Sequence, residues 1–206
     1  FLRAVGAWFA DAFGKFSELQ GWAILLVGAL LIASAALWFV FAAKRKTEGQ
    51  PAPGKKAWDT RALIAGAFCV SVATILSFIK IIHMPQGGSI TPASMLPVMA
   101  FSYIYGFRRG LVAAFAYSLL QLAVDPYVVH WAQLIIDYTL AFTSLALAGV
   151  FRKTILPGIV LAGLARYALH VLSGVIFFAE FAGDKPVLLY SLTYNAVVMI
   201  ETAFIL

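Results

Sequence analysis

Long apolar runs separated by short polar stretches dominate the pattern of this sequence. The runs are about 20 residues long without alternation of apolar and polar positions, which favours membrane-spanning α-helices over a β-barrel. We therefore predict an all-α integral membrane protein, with six helices after residue 61 and an extra one before it. The predicted spans are 21–43, 62–83, 93–106, 109–124, 130–151, 154–181 and 187–206.

The N-terminal part of the chain differs from the rest. Apolar residues recur every three or four positions in residues 1–20, which predicts an amphipathic helix on the membrane surface. Residues 44–61 carry six Lys or Arg together with Pro and Gly, which is typical of a flexible linker. The predicted organisation is an N-terminal segment with one span at 1–43, a basic linker at 44–61 and a six-helix core at 62–206.

Composition and charge also indicate a membrane protein. The chain is 63% hydrophobic and 12% charged, whereas soluble domains are about 25% charged. The net charge of +6 resides in short connections, where basic residues report membrane orientation and do not suggest nucleic-acid binding. We predict that the basic connections at 44–61, 107–110 and 151–153 are cytoplasmic. The alternate connections, predicted to face outside the cell, are 83–92, 124–130 and 180–186.

Ionisable residues inside predicted spans are costly and by default mark a functional site or a buried pair. Asp137, Arg166 and His170 are the clear cases. Arg166 and His170 continue at four-residue spacing into Gly174 and Phe178, which places all four on one stripe of a helix. Structural explanations stay open here: Arg166 could pair with Asp137, and His170 could form an interhelical hydrogen bond.

Two further ionisable residues carry weaker signals. Lys80 lies near the outer end of its predicted helix, where snorkelling to the lipid headgroups would explain it. Glu201 lies toward the inner end of the last helix, and the pattern assigns it no function.

Several polar and aromatic residues are predicted to converge beneath the outer connection at 83–92. Asp137 and Tyr138 lie in the outer half of their helix, His170 lies on the next helix, and residues 190–195 begin the last one. A carboxylate, an imidazole, aromatic rings and an amide together suit a flat, cationic, hydrogen-bonding heteroaromatic ligand. Single aromatic residues would be ordinary membrane-interface residues, so the prediction depends on the convergence.

Five segments in this order resemble the thiamine-specific substrate-binding subunits of energy-coupling-factor (ECF) transporters. The resemblance covers about residues 61–206. The segments are MPQGGSI (84–90), GFRRG (106–110), QLIIDYTLAF (133–142), RYALHVLSGVIFF (166–178) and YSLTYN (190–195).

In that family, a six-helix subunit binds thiamine near the outer surface, beneath the loop that joins its first two helices. The resemblance implies that Asp137 takes the place of the family's binding carboxylate, which is commonly a Glu. Phe178 stands where some members have a stacking Trp, and Arg166 stands where some have Lys. The implied ligand-binding residues are Asp137, Tyr138, Arg166, His170, Gly174, Phe178, Tyr190 and Asn195, and the implied gating loop comprises Pro85, Gln86, Gly87, Gly88 and Ser89.

The resemblance also implies partners, namely a shared transmembrane coupling subunit and two ATPase subunits, and it implies no cofactor. Small residues at four-residue spacing on the first core helix, Ala62 with Gly66 and Ala65 with Cys69, allow close helix approach. In the family such a face docks on the coupling subunit. Packing within the chain would explain the same spacing.

The sequence contains no catalytic motif: it has no phosphate-binding Gly-rich loop ending in Lys-Ser/Thr, no metal-ligand cluster and no nucleophile with a base. The single cysteine, Cys69, excludes an internal disulfide and a cysteine-based metal site. We therefore predict a plasma-membrane subunit that binds extracellular thiamine for uptake and is not an enzyme. Two alternatives stay open: a subunit for another flat vitamin or a thiamine precursor, and a membrane-embedded enzyme or scaffold.

Overall fold

The computed structural model describes residues 60–206 except residues 92, 125 and 152. The predicted surface helix, the extra N-terminal span and all but the last two residues of the basic linker lie outside the described residues. Residues 61–129 and 133–206 belong to one compact unit, and the site described below lies within it.

Six helices of ten or more residues follow one another in the described part of the chain, in agreement with the six predicted after residue 61. Four of them (α1, α4, α5 and α6) are long and apolar enough to cross a membrane, and α2 is a shorter apolar helix. The bounds are α1 Thr60–Ser77, α2 Leu96–Tyr105, α3 Phe107–Val124, α4 Trp131–Gly149, α5 Leu156–Phe177 and α6 Val187–Ile205.

The connection between α1 and α2 contains a small antiparallel ribbon. Its strands are β1 (Ile82–His83) and β2 (Ser89–Ile90), with Ile82 opposite Ile90. The predicted helix over 62–83 was therefore too long, because β1 pairs with β2 and α1 ends at Ser77. Ile82 and Ile90 are β-branched, and β-branched side chains pack well in a pleated ribbon.

Helix α4 changes its winding along its length. A π-helix is rare and is frequently found at functional sites, and the π-helical part of α4 contains both Asp137 and Tyr138. The successive segments are α-helical Trp131–Gln133, π-helical Leu134–Leu140, α-helical Ala141–Thr143 and 3-10 helical Ser144–Gly149.

Close backbone contacts hold α2, α3 and α4 together at Ser102, which is fully buried. A Cβ atom added to Gly149 would lie 2.2 Å from the Ser102 carbonyl oxygen, and one added to Gly110 would lie 2.4 Å from Ser102 Oγ. Gly106 joins α2 to α3 with a φ of +87°, a conformation that favours glycine. The two glycines of the GFRRG segment are thus explained by the turn and by packing.

The small-residue face of α1 is divided between the interior and the surface. Ala62 and Gly66 are buried, and a Cβ atom added to Gly66 would lie 3.1 Å from Cζ of Phe101 on α2. Ala65 and Cys69 are half-buried. Docking of the coupling subunit through these four small residues stays a prediction.

The contact between Gly149 and Ser102 generates a stability prediction. We expect Gly149→Ala to lower the free energy of unfolding by about 1–3 kcal/mol, because the added methyl group would overlap a backbone carbonyl. Thermal unfolding of the detergent-purified protein measures the change. Ala116→Val, which adds bulk on the exposed face of α3, is the control and should leave the melting temperature unchanged; equal destabilisation by both variants would contradict the close contact.

Candidate functional site

One cavity of about 140 Å³ collects the predicted site residues. All eight predicted ligand-binding residues line it, and so do four of the five predicted gating-loop residues, the exception being Pro85. Lys80, which snorkelling was expected to explain, lines it as well. The lining residues that the sequence predicted are Gln86, Gly87, Gly88, Ser89, Asp137, Tyr138, Arg166, His170, Gly174, Phe178, Tyr190 and Asn195.

Asp137 is held by three hydrogen bonds from neighbouring side chains. Its Oδ2 accepts from Gln133 Nε2 at 2.8 Å and from Ser173 Oγ at 2.7 Å, and its Oδ1 lies 2.9 Å from His170 Nδ1. The Asp137 side chain is 14% exposed. These contacts link α4 to α5 and fix the orientation of the carboxylate beside the cavity.

His170 and Gly174 lie where α5 packs against α6. Asn195 Nδ2 donates to the His170 carbonyl at 3.3 Å and to the Ser191 carbonyl at 2.9 Å. A Cβ atom added to Gly174 would lie 2.2 Å from Ser191 Oγ. Gly174 therefore lets α6 approach α5 closely, a role that the sequence pattern did not predict.

Arg166 pairs with Glu201, and the alternative pairing with Asp137 is wrong. Arg166 Nη1 lies 3.0 Å from Glu201 Oε2, with the two side chains 10% and 3% exposed. The guanidinium carbon also lies 4.5 Å from the centre of the Phe142 ring, at cation–π distance. Because a buried charge needs a partner, this pair accounts for Glu201, to which the sequence pattern assigned no role.

Glu201 also anchors the chain that follows the ribbon. Its Oε1 accepts a hydrogen bond from the Thr91 backbone N–H at 3.1 Å, and the Thr91 hydroxyl donates to the same oxygen. Thr91 Oγ1 is in turn 2.6 Å from Ser94 Oγ. One carboxylate on α6 thus binds both the Arg166 cation on α5 and the end of the connection that carries the loop.

The tip of the predicted gating loop is fixed by a tyrosine of α6. The Gln86 backbone N–H donates to Tyr194 Oη at 2.9 Å, and the Tyr194 hydroxyl donates to the Gly87 carbonyl at 3.1 Å. Gly87 and Gly88 have φ values of +80° and +84°. Helix α6 therefore contacts this connection at two points: Tyr194 binds the tip of the loop, and Glu201 binds Thr91 after the loop.

An aromatic wall completes the site. The rings of Tyr127 and Phe178 are nearly parallel, with centres 6.1 Å apart, and Tyr190 and Tyr194 are 5.7 Å apart. Tyr127 is fixed by its backbone, since its N–H donates to Tyr138 Oη at 2.7 Å.

Sequence reasoning assigned no binding role to Tyr194, and it missed five further residues of this arrangement. Gln133 precedes Asp137 by four residues on the same helix, so side-chain spacing could have identified it. Ser173 similarly follows His170 by three residues. The sequence gives no comparable signal for the other three, Thr91, Tyr127 and Glu201, which reach the site only through long-range contacts.

Comparison with known proteins adds a family match. The family described as thiamine transporter protein (Thia_YuaJ) matches residues 63–206. The chain is 32% identical over 163 residues to the thiamine transporter ThiT of Bacillus subtilis (strain 168), covering 69% of this chain and 84% of that protein.

One solved structure shows a related fold, and a second gives a weaker superposition. The structure titled "Native-SAD phasing for ThiT from Listeria monocytogenes serovar" superposes with a TM-score of 0.60 at 26% identity, covering 69% of this chain and 90% of that chain. The structure titled "Structure and mechanism of the S component of a bacterial ECF transporter" gives a TM-score of 0.49 at 19% identity, covering 70% and 90% of the two chains.

The buried Arg166–Glu201 pair generates a prediction about folding. We expect Glu201→Ala to destabilise the protein by about 3–5 kcal/mol, because it leaves the Arg166 charge buried without its carboxylate. Glu201→Gln should cost less, since an amide oxygen can still accept from Thr91. Chemical or thermal unfolding in detergent measures both, with Glu180→Ala at an exposed position as the control. A Glu201→Ala protein as stable as the control would show that the pair does not support the fold.

Proposed function

Because this chain belongs to the thiamine transporter protein family, we propose that it binds thiamine as the substrate-binding subunit of an ECF-type uptake transporter. The family is one of transporters and not of enzymes. The observation that carries the proposal is the cavity around Asp137, which unites a half-buried carboxylate, an aromatic wall and an amide. These groups match a ligand that is flat, cationic and able to form hydrogen bonds.

The charges of the cavity suit a cationic ligand. The Arg166 guanidinium is neutralised by Glu201 at 3.0 Å, so it offers little repulsion to a second cation. Asp137 supplies a carboxylate that the ligand's positive charge can approach. Phe178 and Tyr190 supply ring faces, and Asn195 supplies a polar group in the same lining.

Access to the cavity is controlled, in this proposal, by the loop Gln86–Ser89. The hydrogen bonds of Gln86 and Gly87 to Tyr194 hold the loop in the closed position. Ligand exchange then requires these bonds to break, while Glu201 keeps the following Thr91 in place. The loop would move as a flap whose far end stays anchored.

The chain is a multi-pass membrane protein, and its basic connections orient it. Arg108 and Arg109 lie in the first turn of α3, and Lys153 lies in the connection before α5. We assign these helix ends to the cytoplasm, by the excess of Lys and Arg on the cytoplasmic side. The cavity, which residues of the alternate connections 83–92 and 124–130 help to line, then faces outside the cell. Energy for uptake would come from a coupling subunit and two ATPase subunits, with α1 docking through its small residues Ala62, Ala65, Gly66 and Cys69.

Titration of the detergent-purified protein with thiamine tests this function. We expect saturable one-to-one binding with a Kd in the nanomolar range, equivalent to about −12 kcal/mol. Trp and Tyr fluorescence and calorimetry measure this binding. Competition with the pyrimidine fragment of thiamine separates the vitamin from a precursor as the ligand. Absence of binding at micromolar thiamine would reject the proposal.

The carboxylate role gives a specific expectation. Asp137→Asn should weaken thiamine binding by about 10- to 100-fold, because hydrogen bonds to a charged group contribute about 1.5–3 kcal/mol. Asp184→Asn removes a carboxylate from an exposed position in the connection before α6 and should leave the affinity unchanged. Full affinity in the Asp137→Asn protein would contradict a ligand-binding carboxylate.

The loop contact gives a kinetic expectation. Tyr194→Phe removes the hydroxyl that bonds both Gln86 and Gly87, and we expect thiamine to dissociate roughly 30-fold faster, because two bonds of about 1 kcal/mol each are lost. Stopped-flow fluorescence measures the dissociation rate. Tyr103→Phe, on α2 and outside the cavity lining, is the matched control. An unchanged rate in the Tyr194→Phe protein would mean that the loop does not limit release.

A further inference from the structure

The carboxylate of Asp137 is bound by an unexpected set of donors for an anion within a membrane helix. Ionised residues at such depth usually pair with an opposite charge. Among the described residues, the three donors are the Gln133 amide, the Ser173 hydroxyl and the His170 imidazole. The Gln133 amide and the Ser173 hydroxyl carry no charge, so neither of them neutralises the Asp137 carboxylate.

His170 contacts the carboxylate through one ring nitrogen. Nδ1 is 2.9 Å from Asp137 Oδ1, whereas Nε2 is buried and has no hydrogen-bond partner among the described residues.

The other charges in the cavity lining pair by sign. The lining contains two cations, Lys80 and Arg166, and two carboxylates, Asp137 and Glu201. Since Arg166 is bound to Glu201 at 3.0 Å, Asp137 is the carboxylate of the lining that is held by uncharged donors.

We propose that Gln133 and Ser173 are positioning residues that, together with His170 Nδ1, hold the Asp137 carboxylate in place for the ligand's positive charge. This inference rests on the proposed function, because it assumes a cationic ligand. Gln133 suits the role because it is itself fixed: its Nε2 also donates to the Tyr127 carbonyl at 3.1 Å, and its Oε1 accepts from the Val129 N–H at 3.3 Å. Ser173 is fully buried.

The positioning role is tested with two ligands, thiamine and a neutral isostere in which carbon replaces the quaternary nitrogen. We expect Gln133→Met and Ser173→Ala each to weaken thiamine binding about tenfold, the loss of one hydrogen bond to a charged group. Binding of the neutral isostere should change much less, because the isostere does not use the anion. Ser118→Ala, which removes a buried hydroxyl outside the cavity, should alter neither affinity.

Two outcomes separate the possible failures. Equal losses for both ligands in the Gln133 and Ser173 variants would show a merely structural role and overturn the inference. A wild-type protein that binds neither ligand would instead reject the proposed function.

Discussion

A charge inside a lipid bilayer must find its partner within the protein, and two such partnerships organise this cavity. Arg166 pairs with Glu201 between α5 and α6, and Asp137 is held by His170 and Ser173 between α4 and α5. Because lipid supplies neither water nor counter-ions, the polar side chains are fixed before a ligand arrives. A site fixed in this way loses less conformational entropy when it binds.

Much of the fold and part of the site could be predicted from the sequence. The apolar runs identify the six helices of the core, four of which are long and apolar enough to cross a membrane. Arg166, His170, Gly174 and Phe178 were predicted to share one stripe, and all four line the cavity on α5 or at its end. Asp137, Tyr138 and residues 190–195 were predicted to converge near the same outer connection, and the resemblance to a transporter family then implied that they bind the ligand.

The rest depends on which side chains meet across helices. The partner of Arg166 could not be chosen between Asp137 and other carboxylates, because helical spacing gives the face of a residue but not the rotation of the neighbouring helix. The π-helical segment at Leu134–Leu140 makes this choice harder still. Its wider turn changes which residues of α4 share a face, and a regular helical period does not predict that change. The ribbon Ile82–Ile90 escaped prediction because two-residue strands are too short to show alternation.

Helix α6 contacts the loop, the connection that follows it and the helix that carries His170. Tyr194 holds the loop tip, Glu201 holds the end of the same connection and the Arg166 cation, and Asn195 bonds the backbone of α5 beside His170. Gly174 leaves no space between α5 and α6 at Ser191. A partner protein that tilted this single helix would break the contact of Tyr194 with the loop and the contact of Asn195 with α5 at the same time. Release of the ligand would then need no second conformational change at the side chains that bind it.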